Sequence, residues 1–231
     1  MVPEPASGRV FRASRRVRLG DADPSGRLRF DATARYLHDV SNDDTGDSGL
    51  IDDGSWVVRR TAIEVVQPIR MMERVDLATW CSGTGARWAE RRVSITGVKG
   101  GRVEAASLWV YVDLSTMAPK RLHPGFMDLY GEAAGDRKVT ARLELPAEVP
   151  AGASSMPWPL RRTDLDVLNH LNNANYWCAV EEVVDVVGPC RATLEFAKPI
   201  DPADEVTLHW LDGSVWLTVD GVTHATALLT A

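Results

Sequence analysis

Two acidic loops, GDADPSGRLRF at residues 20–30 and TDLDVLNHLNN at residues 163–173, align without a gap at an offset of 143 residues. Asp21 falls on Asp164, Asp23 on Asp166 and Leu28 on Leu171. Each loop follows a short strand-like stretch, opens into a helical pattern, and gives way to several strand-like runs. A chain of 231 residues that repeats this plan once predicts two α+β units side by side, related by a pseudo-twofold axis. Each helix carries one apolar stripe, so it has to bury that stripe against one face of its sheet.

In the first unit Val17 and Leu19 alternate with charge, as a strand does. Asp31 is placed to cap a helix in which Ala34, Leu37, Val40 and Ser41 recur at helical spacing. Strand patterns follow at 56–58, 62–66, 75–80, 88–96 and 103–112, and Lys99-Gly100-Gly101 marks a hairpin between the last two. In the second unit Tyr176, Val180, Val183, Val184 and Val187 predict a helix that Gly188-Pro189 ends. Strands are expected at 191–197, 205–211, 214–219 and 222–230, with Asp212-Gly213 and Asp220-Gly221 as two-residue hairpin turns. Between the units, residues 132–159 hold Pro146, Pro150, Pro157 and Pro159 and keep no period. That segment reads as a linker joining a first unit at 8–131 to a second at 160–231.

Composition narrows the function. With 45% hydrophobic and 25% charged residues the chain can bury a real core and is not intrinsically disordered. No run of eighteen apolar residues is present to span a membrane. The first twenty residues lack the apolar segment of a secretory leader, so the expected compartment is the cytoplasm. A net charge of −6 argues against nucleic acid as a partner. Cys81, Cys178 and Cys190 are widely spaced without a CxxC pair, so neither a disulfide framework nor structural zinc is expected. His38, His123, His209 and His224 lack metal-ligand spacing, and no metal or cofactor is assigned.

Several motifs carry a resemblance. RRTDLDVLNHLNNANYWCAVEEV is similar to the second-half signature of the acyl-ACP thioesterase family. WVVRRTAIEVVQPIRMMERVDLATWCSGTGARWAERRVSI, GGRVEAASLWVYVDLSTMAPKRL and LGDADPSGRLRFDATARYLHDV resemble its first-half core, its next strand and its opening loop and helix. The likeness covers roughly residues 9–200, in order. It implies the double-hotdog fold, in which two antiparallel sheets each wrap one long helix, and it implies thioester hydrolysis without a cofactor. The family's asparagine two residues after the second aspartate is Leu168 here, with Asn169 displaced by one. The glutamate often found after the next strand falls at Pro199. GDADPSG also resembles the catalytic loop of single-hotdog acyl-CoA thioesterases, which makes Asp23 a second candidate catalytic residue.

Hydrolysis of a thioester needs a base or nucleophile, a group that polarises the carbonyl, and a dry slot for the acyl chain. The resemblance points to Asp166 as base or nucleophile, to His170 and Asn172 as helpers, and to Asn169 as a stand-in for the missing asparagine. Asn173 stands at the helix start, where backbone N–H groups can hold an oxyanion. Tyr176, Val180 and Val184 are the expected wall of an acyl tunnel. Arg161 and Arg162 are candidates to dock an acidic carrier protein or the phosphates of coenzyme A, as are Arg59 and Arg60. Each group also has a plain structural alternative: turn or cap duty for Asp164, Asp166 and the asparagines, a surface role for His170, core packing for the valines, and a solvated strand face for the arginines. The expected partner is an acyl-ACP, or alternatively an acyl-CoA. A non-catalytic acyl-thioester binding protein is the rival from another class, favoured by Leu168 and Pro199. The repeat supplies its own pseudo-dimer, so a monomer is expected, with homo-oligomers through sheet edges left open.

Overall fold

The computed structural model describes residues 1–50 and 54–231. The chain runs β1 (Phe11–Arg16), α1 (Phe30–Ser48), β2 (Gly54–Gln67), β3 (Arg74–Thr84), β4 (Trp88–Gly97) and β5 (Arg102–Asp113). It continues through α2 (Pro124–Ala134), β6 (Ser154–Pro157), α3 (Asn175–Val183), β7 (Cys190–Phe196), β8 (Val206–Leu211), β9 (Ser214–Val219) and β10 (Val222–Thr230). A single 3-10 turn opens each acidic loop, at Leu19–Asp21 and at Arg162–Asp164.

The strand order β1-β3-β4-β5-β2-β7-β10-β9-β8-β6 shows the repeat directly. Read inward from its two ends, the sheet pairs β1 with β6, β3 with β8, β4 with β9, β5 with β10 and β2 with β7. The two expected sheets are thus halves of one ten-stranded antiparallel sheet, joined where β2 pairs with β7 from Arg60↔Glu195 to Val65↔Cys190. Hydrogen bonding across this seam satisfies two strands that would otherwise be exposed edges. It also uses the arginines read as docking groups. Arg59 donates to the carbonyls of Phe196 and Ala197, and Arg60 lies 3.2 Å from Glu144 and 3.4 Å from Glu195.

The local signals explain most elements. Asp212 and Gly213, and again Asp220 and Gly221, all take positive φ, the geometry of a tight hairpin turn whose twist matches its strands. The runs at 56–58 and 62–66 are one strand, broken in pattern by a bulge between Val58 and Arg60. Phe30, not Asp31, opens α1, and Arg29 stands at the cap without a side-chain bond. Asp31 is instead buried in the first turn between Arg29 and Arg35, at 2.7 and 2.6 Å. The second helix ends at Val183, short of Gly188. Val183 and the residues beyond it, Val184, Val186 and Val187, are β-branched, and their restricted side chains weaken a helix. In the segment read as a linker, β6 forms the far edge of the sheet by pairing with β8. Just before it, α2 was not expected, because Gly125 and Gly131 dilute its pattern. Its Phe126, Tyr130 and Ala134 nevertheless pack at i, i+4 and i+8 on Cys81 and Ala89.

The main core gathers both long helices. Phe30 and Trp177, from α1 and α3, place their rings 5.3 Å apart, and both are essentially buried. Leu37, Val40, Tyr176 and Val180 join Ile63, Leu77, Ile95, Leu194 and Leu217 from the sheet. Full burial of such side chains contributes about 1.5–3 kcal/mol each, which fixes the two helix starts, and so the two acidic loops, relative to one another. Among the described residues no helix is long and apolar enough to cross a membrane.

Candidate active site

The two loops share the same set of turn-forming bonds around their second aspartates. In the first, Asp23 N–H donates to the Arg27 carbonyl and Gly26 N–H to the Asp23 carbonyl, while Asp23 Oδ1 accepts from the N–H groups of Ser25 and Arg27. In the second, Asp166 N–H donates to the His170 carbonyl and Asn169 N–H to the Asp166 carbonyl, while Asp166 Oδ1 accepts from Leu168 and His170 N–H at 2.8 and 3.3 Å. Asp21 and Asp164 likewise accept from the backbone of Arg18 and Arg161. Both second aspartates therefore hold a turn, as short acceptors two residues before a free N–H tend to do.

What surrounds the two turns differs. Asp23 spends its other oxygen on Arg27, whose Nε lies 2.9 Å from Oδ2. Arg27 is buried, and its Nη2 donates to Glu181 Oε1 at 2.5 Å. Glu181, reaching over from α3, also accepts from the Phe30 N–H at 3.0 Å. A carboxylate thus sits on the first N–H of α1, where an oxyanion would have to bind. Burial works against ionisation of Asp23, yet the hydrogen bonds from Ser25 and Arg27 and the Arg27 charge prevail and hold its carboxyl below the usual range. The cleft beside this loop, about 680 Å³, is walled by charged groups including Arg29, Asp31 and Arg70.

In the second loop the mate of Arg27 is His170, and the mate of Phe30 is Asn173. Asp166 Oδ2 takes no hydrogen bond among the described residues. His170 points its Nε2 at Asp201, 3.4 Å from Oδ1. Asp201 follows β7 two residues beyond Pro199, so a carboxylate stands near His170 although the family's glutamate position is proline. Asn173 N–H has no hydrogen-bond partner among the described residues. Asn172 Oδ1 accepts from Ala174 N–H at 2.9 Å, and its N–H donates to the Asp164 carbonyl at 2.8 Å. Asn169 is exposed with φ of 61°, the left-handed position filled by Gly26 in the first loop. Asparagine tolerates that conformation well, which accounts for its presence as turn chemistry.

The other expected groups are placed as follows. Tyr176 and Val180 are closed inside the core, and Val184 lines the first-half cleft. An apolar cavity of about 260 Å³ lies instead between α1, α2 and the first half of the sheet. Its floor and walls include Trp56, Cys81, Ala89, Trp109, Phe126 and Tyr130. Tyr176 and Val180 do not line this cavity. Arg161 is half occupied by Asp164 at 2.9 Å while projecting to solvent, and Arg162 is exposed. Sequence reading missed Asp201 and Glu181. Only the repeat offset, which maps Glu181 onto His38, carried a signal for the second.

No cysteine is poised as a nucleophile. Burial raises all three thiols, Cys178 to about 11 and Cys81 and Cys190 in the same direction. A thiolate, not a thiol, attacks. Treatment with iodoacetamide at pH 7.5 for the time needed to alkylate free cysteine should therefore leave turnover within twofold. Proportional loss of activity with label on Cys178 would assign it a chemical role.

A ten-stranded sheet wrapped around two helices, with a turn-forming aspartate before each, defines a double-hotdog thioesterase, a thioester hydrolase. The chain belongs to the acyl-ACP thioesterase family: the model of that family's N-terminal domain matches residues 8–130 and that of its C-terminal domain residues 149–219. Among proteins, an uncharacterized protein of Mycobacterium tuberculosis is 32% identical over 215 residues, covering 91% of this chain and 86% of that one. The chloroplastic acyl-[acyl-carrier-protein] hydrolase of Cuphea viscosissima is 23% identical over 218 residues, covering 83% of this chain and 52% of that one. The chain thus spans about half the length of that plant relative. Among solved structures, the 12:0-ACP thioesterase of Umbellularia californica superposes with a TM-score of 0.79 at 19% identity, covering 96% of this chain and 97% of that one. An acyl-ACP thioesterase from Bacteroides thetaiotaomicron gives 0.77 at 16% identity, covering 96% and 98%.

Proposed function

We propose that the chain releases a fatty acid from acyl carrier protein at the second-half loop alone. One observation carries this choice of site: the same turn is sealed by Arg27 and Glu181 in the first half and left open in the second. Asp166 Oδ2 is the base or nucleophile. As base it takes a proton from water that attacks the thioester carbonyl; as nucleophile it forms an anhydride that water then opens. Asn173 N–H faces the oxygen that gains charge, and Asn172 holds the strand-to-helix turn that presents it. His170, paired with Asp201 when protonated, returns a proton to the departing thiolate. The acyl chain extends into the aromatic cavity beneath Trp109. Arg161 and Arg162, beside the loop and exposed, are placed to meet the acidic carrier. A monomer suffices, because each half supplies the helix and sheet that the other needs.

The test is thiol release from matched acyl-ACP and acyl-CoA substrates of C8 to C18 at equal concentration. On this reading kcat/KM is at least tenfold higher for the ACP form at the best chain length. Equal or better turnover of the CoA form would make coenzyme A the carrier. Saturable binding without thiol release over hours would leave a binding protein.

A further inference from the structure

The repeat that pairs the two loops also pairs the residues reaching toward them. Glu181 on α3 and His38 on α1 are related by the same offset of 143 residues. Glu181 crosses from one helix to the opposite loop, where it meets Arg27 and the Phe30 N–H. Their mates are His170 and Asn173. Under the pseudo-twofold relation, the place that corresponds for His38 to the one Glu181 reaches is the second loop at Asn173. There the N–H that Glu181 satisfies in the first half lacks a partner among the described residues.

Two further observations fit a ligand between them. His38 packs edge-on against Trp109 at 5.6 Å, and Trp109 lines the aromatic cavity. Ser41 and Asn42, one turn further along α1, line the same cavity. His38 thus lies against a wall of the cavity, and the repeat relation turns it toward the second loop, where on the proposed reading the thioester carbonyl has to lie.

We propose that His38 is a catalytic residue of the second-half site, donating a hydrogen bond to the thioester carbonyl oxygen opposite the Asn173 N–H. The proposal rests on the assignment of turnover to the second-half loop. Exchange of glutamate for histidine is then what separates the two halves: a carboxylate fills and repels an oxyanion position, whereas a neutral imidazole offers one N–H to it. Burial holds His38 below the usual imidazole range against the opposing charge of Asp39, which keeps the ring neutral near pH 7. A neutral donor strengthens its bond as the oxygen gains charge, so its effect appears in kcat rather than in KM.

Steady-state kinetics on dodecanoyl-ACP with the full chain tests this, with His38→Leu, His38→Gln and Asp166→Asn measured together and each variant's Tm recorded. We expect His38→Leu to lower kcat by roughly 100-fold, the loss typical of one oxyanion donor, with KM within twofold and Tm unchanged. His38→Gln keeps a donor and should recover to within about tenfold of the parent. Should leucine lower Tm by disturbing the contact with Trp109, His38→Phe keeps a ring there without a donor and carries the same expectation. Loss of activity in Asp166→Asn together with His38→Leu and His38→Phe within threefold of the parent would overturn the role of His38 and spare the site. Full activity in Asp166→Asn would remove the site assignment, and this proposal with it.

Discussion

Replacing Asp166 with asparagine is expected to lower kcat on acyl-ACP by about 1,000-fold, or ~4 kcal/mol of barrier. The substitution is isosteric, and an amide oxygen accepts the Leu168 and His170 N–H groups as the carboxylate does now at 2.8 and 3.3 Å. The turn is thus retained while the basic and nucleophilic oxygen is lost. Thermal unfolding should move by less than about 2 °C, which separates chemistry from folding. KM should stay within a few-fold, because the acyl chain and carrier are held by other groups. If turnover of Asp166→Asn stayed within threefold of the parent, with unchanged Tm, Asp166 would be a turn residue and nothing more.

A comparably large effect of opposite kind is expected at Arg27. The residue is 6% exposed, and its guanidinium serves the Asp23 carboxylate, Glu181 and the Leu28 carbonyl at once. Burial already raises the pKa of Glu181 against the pull of Arg27. Arg27→Met would leave that carboxylate buried beside Asp23 with no countercharge, at a cost of about 3–5 kcal/mol. For a chain of this size the loss corresponds to roughly 6–20 °C in Tm. The sign with pH follows from linkage. A buried acid with a raised folded pKa contributes stability that is present below its unfolded pKa and lost as pH rises through the folded value. The deficit of Arg27→Met should therefore be smallest below about pH 4.5 and grow toward neutrality. Arg27→Met combined with Glu181→Leu removes both charges and should recover a large part of the stability. A denaturant or thermal series reads all of this, and an Arg27→Met protein as stable as its parent at pH 7 would contradict the seal described for the first half.

The repeat was legible because it is local twice over: each loop, turn and helix start is written within eleven residues, and the two copies align without a gap. The hairpins at Asp212-Gly213 and Asp220-Gly221 were legible for the same reason, since two residues with positive φ decide a tight turn. Fusion of the halves into one sheet was not, because pairing of β2 with β7 joins residues more than a hundred positions apart and no local pattern encodes it. The helix at Pro124–Ala134 was hidden by its two glycines and is fixed by packing of Phe126 and Tyr130 on the sheet. The site divides along the same line. The turn at Asp166 could be read from spacing, whereas Asp166 and His170 as candidate site residues came from their place in the family motif. Asp201, 31 positions after His170, and Glu181, 154 positions after Arg27, reach their partners only through the fold. Burial of Tyr176 and Val180 in the core was not distinguishable from cavity lining, because a helical apolar stripe looks the same in either place.

On the proposed reading one half of a symmetrical scaffold does the chemistry and the other is closed by its own side chains. That reading is tested most directly by measuring kcat for dodecanoyl-ACP in Asp23→Asn and Asp166→Asn side by side, under one protocol. Asp23→Asn is expected to keep kcat within threefold of the parent, because Asp23 pairs with Arg27 and holds its turn, while Asp166→Asn is nearly inactive. Loss of turnover in Asp23→Asn with activity preserved in Asp166→Asn would place the working site in the first half and contradict it.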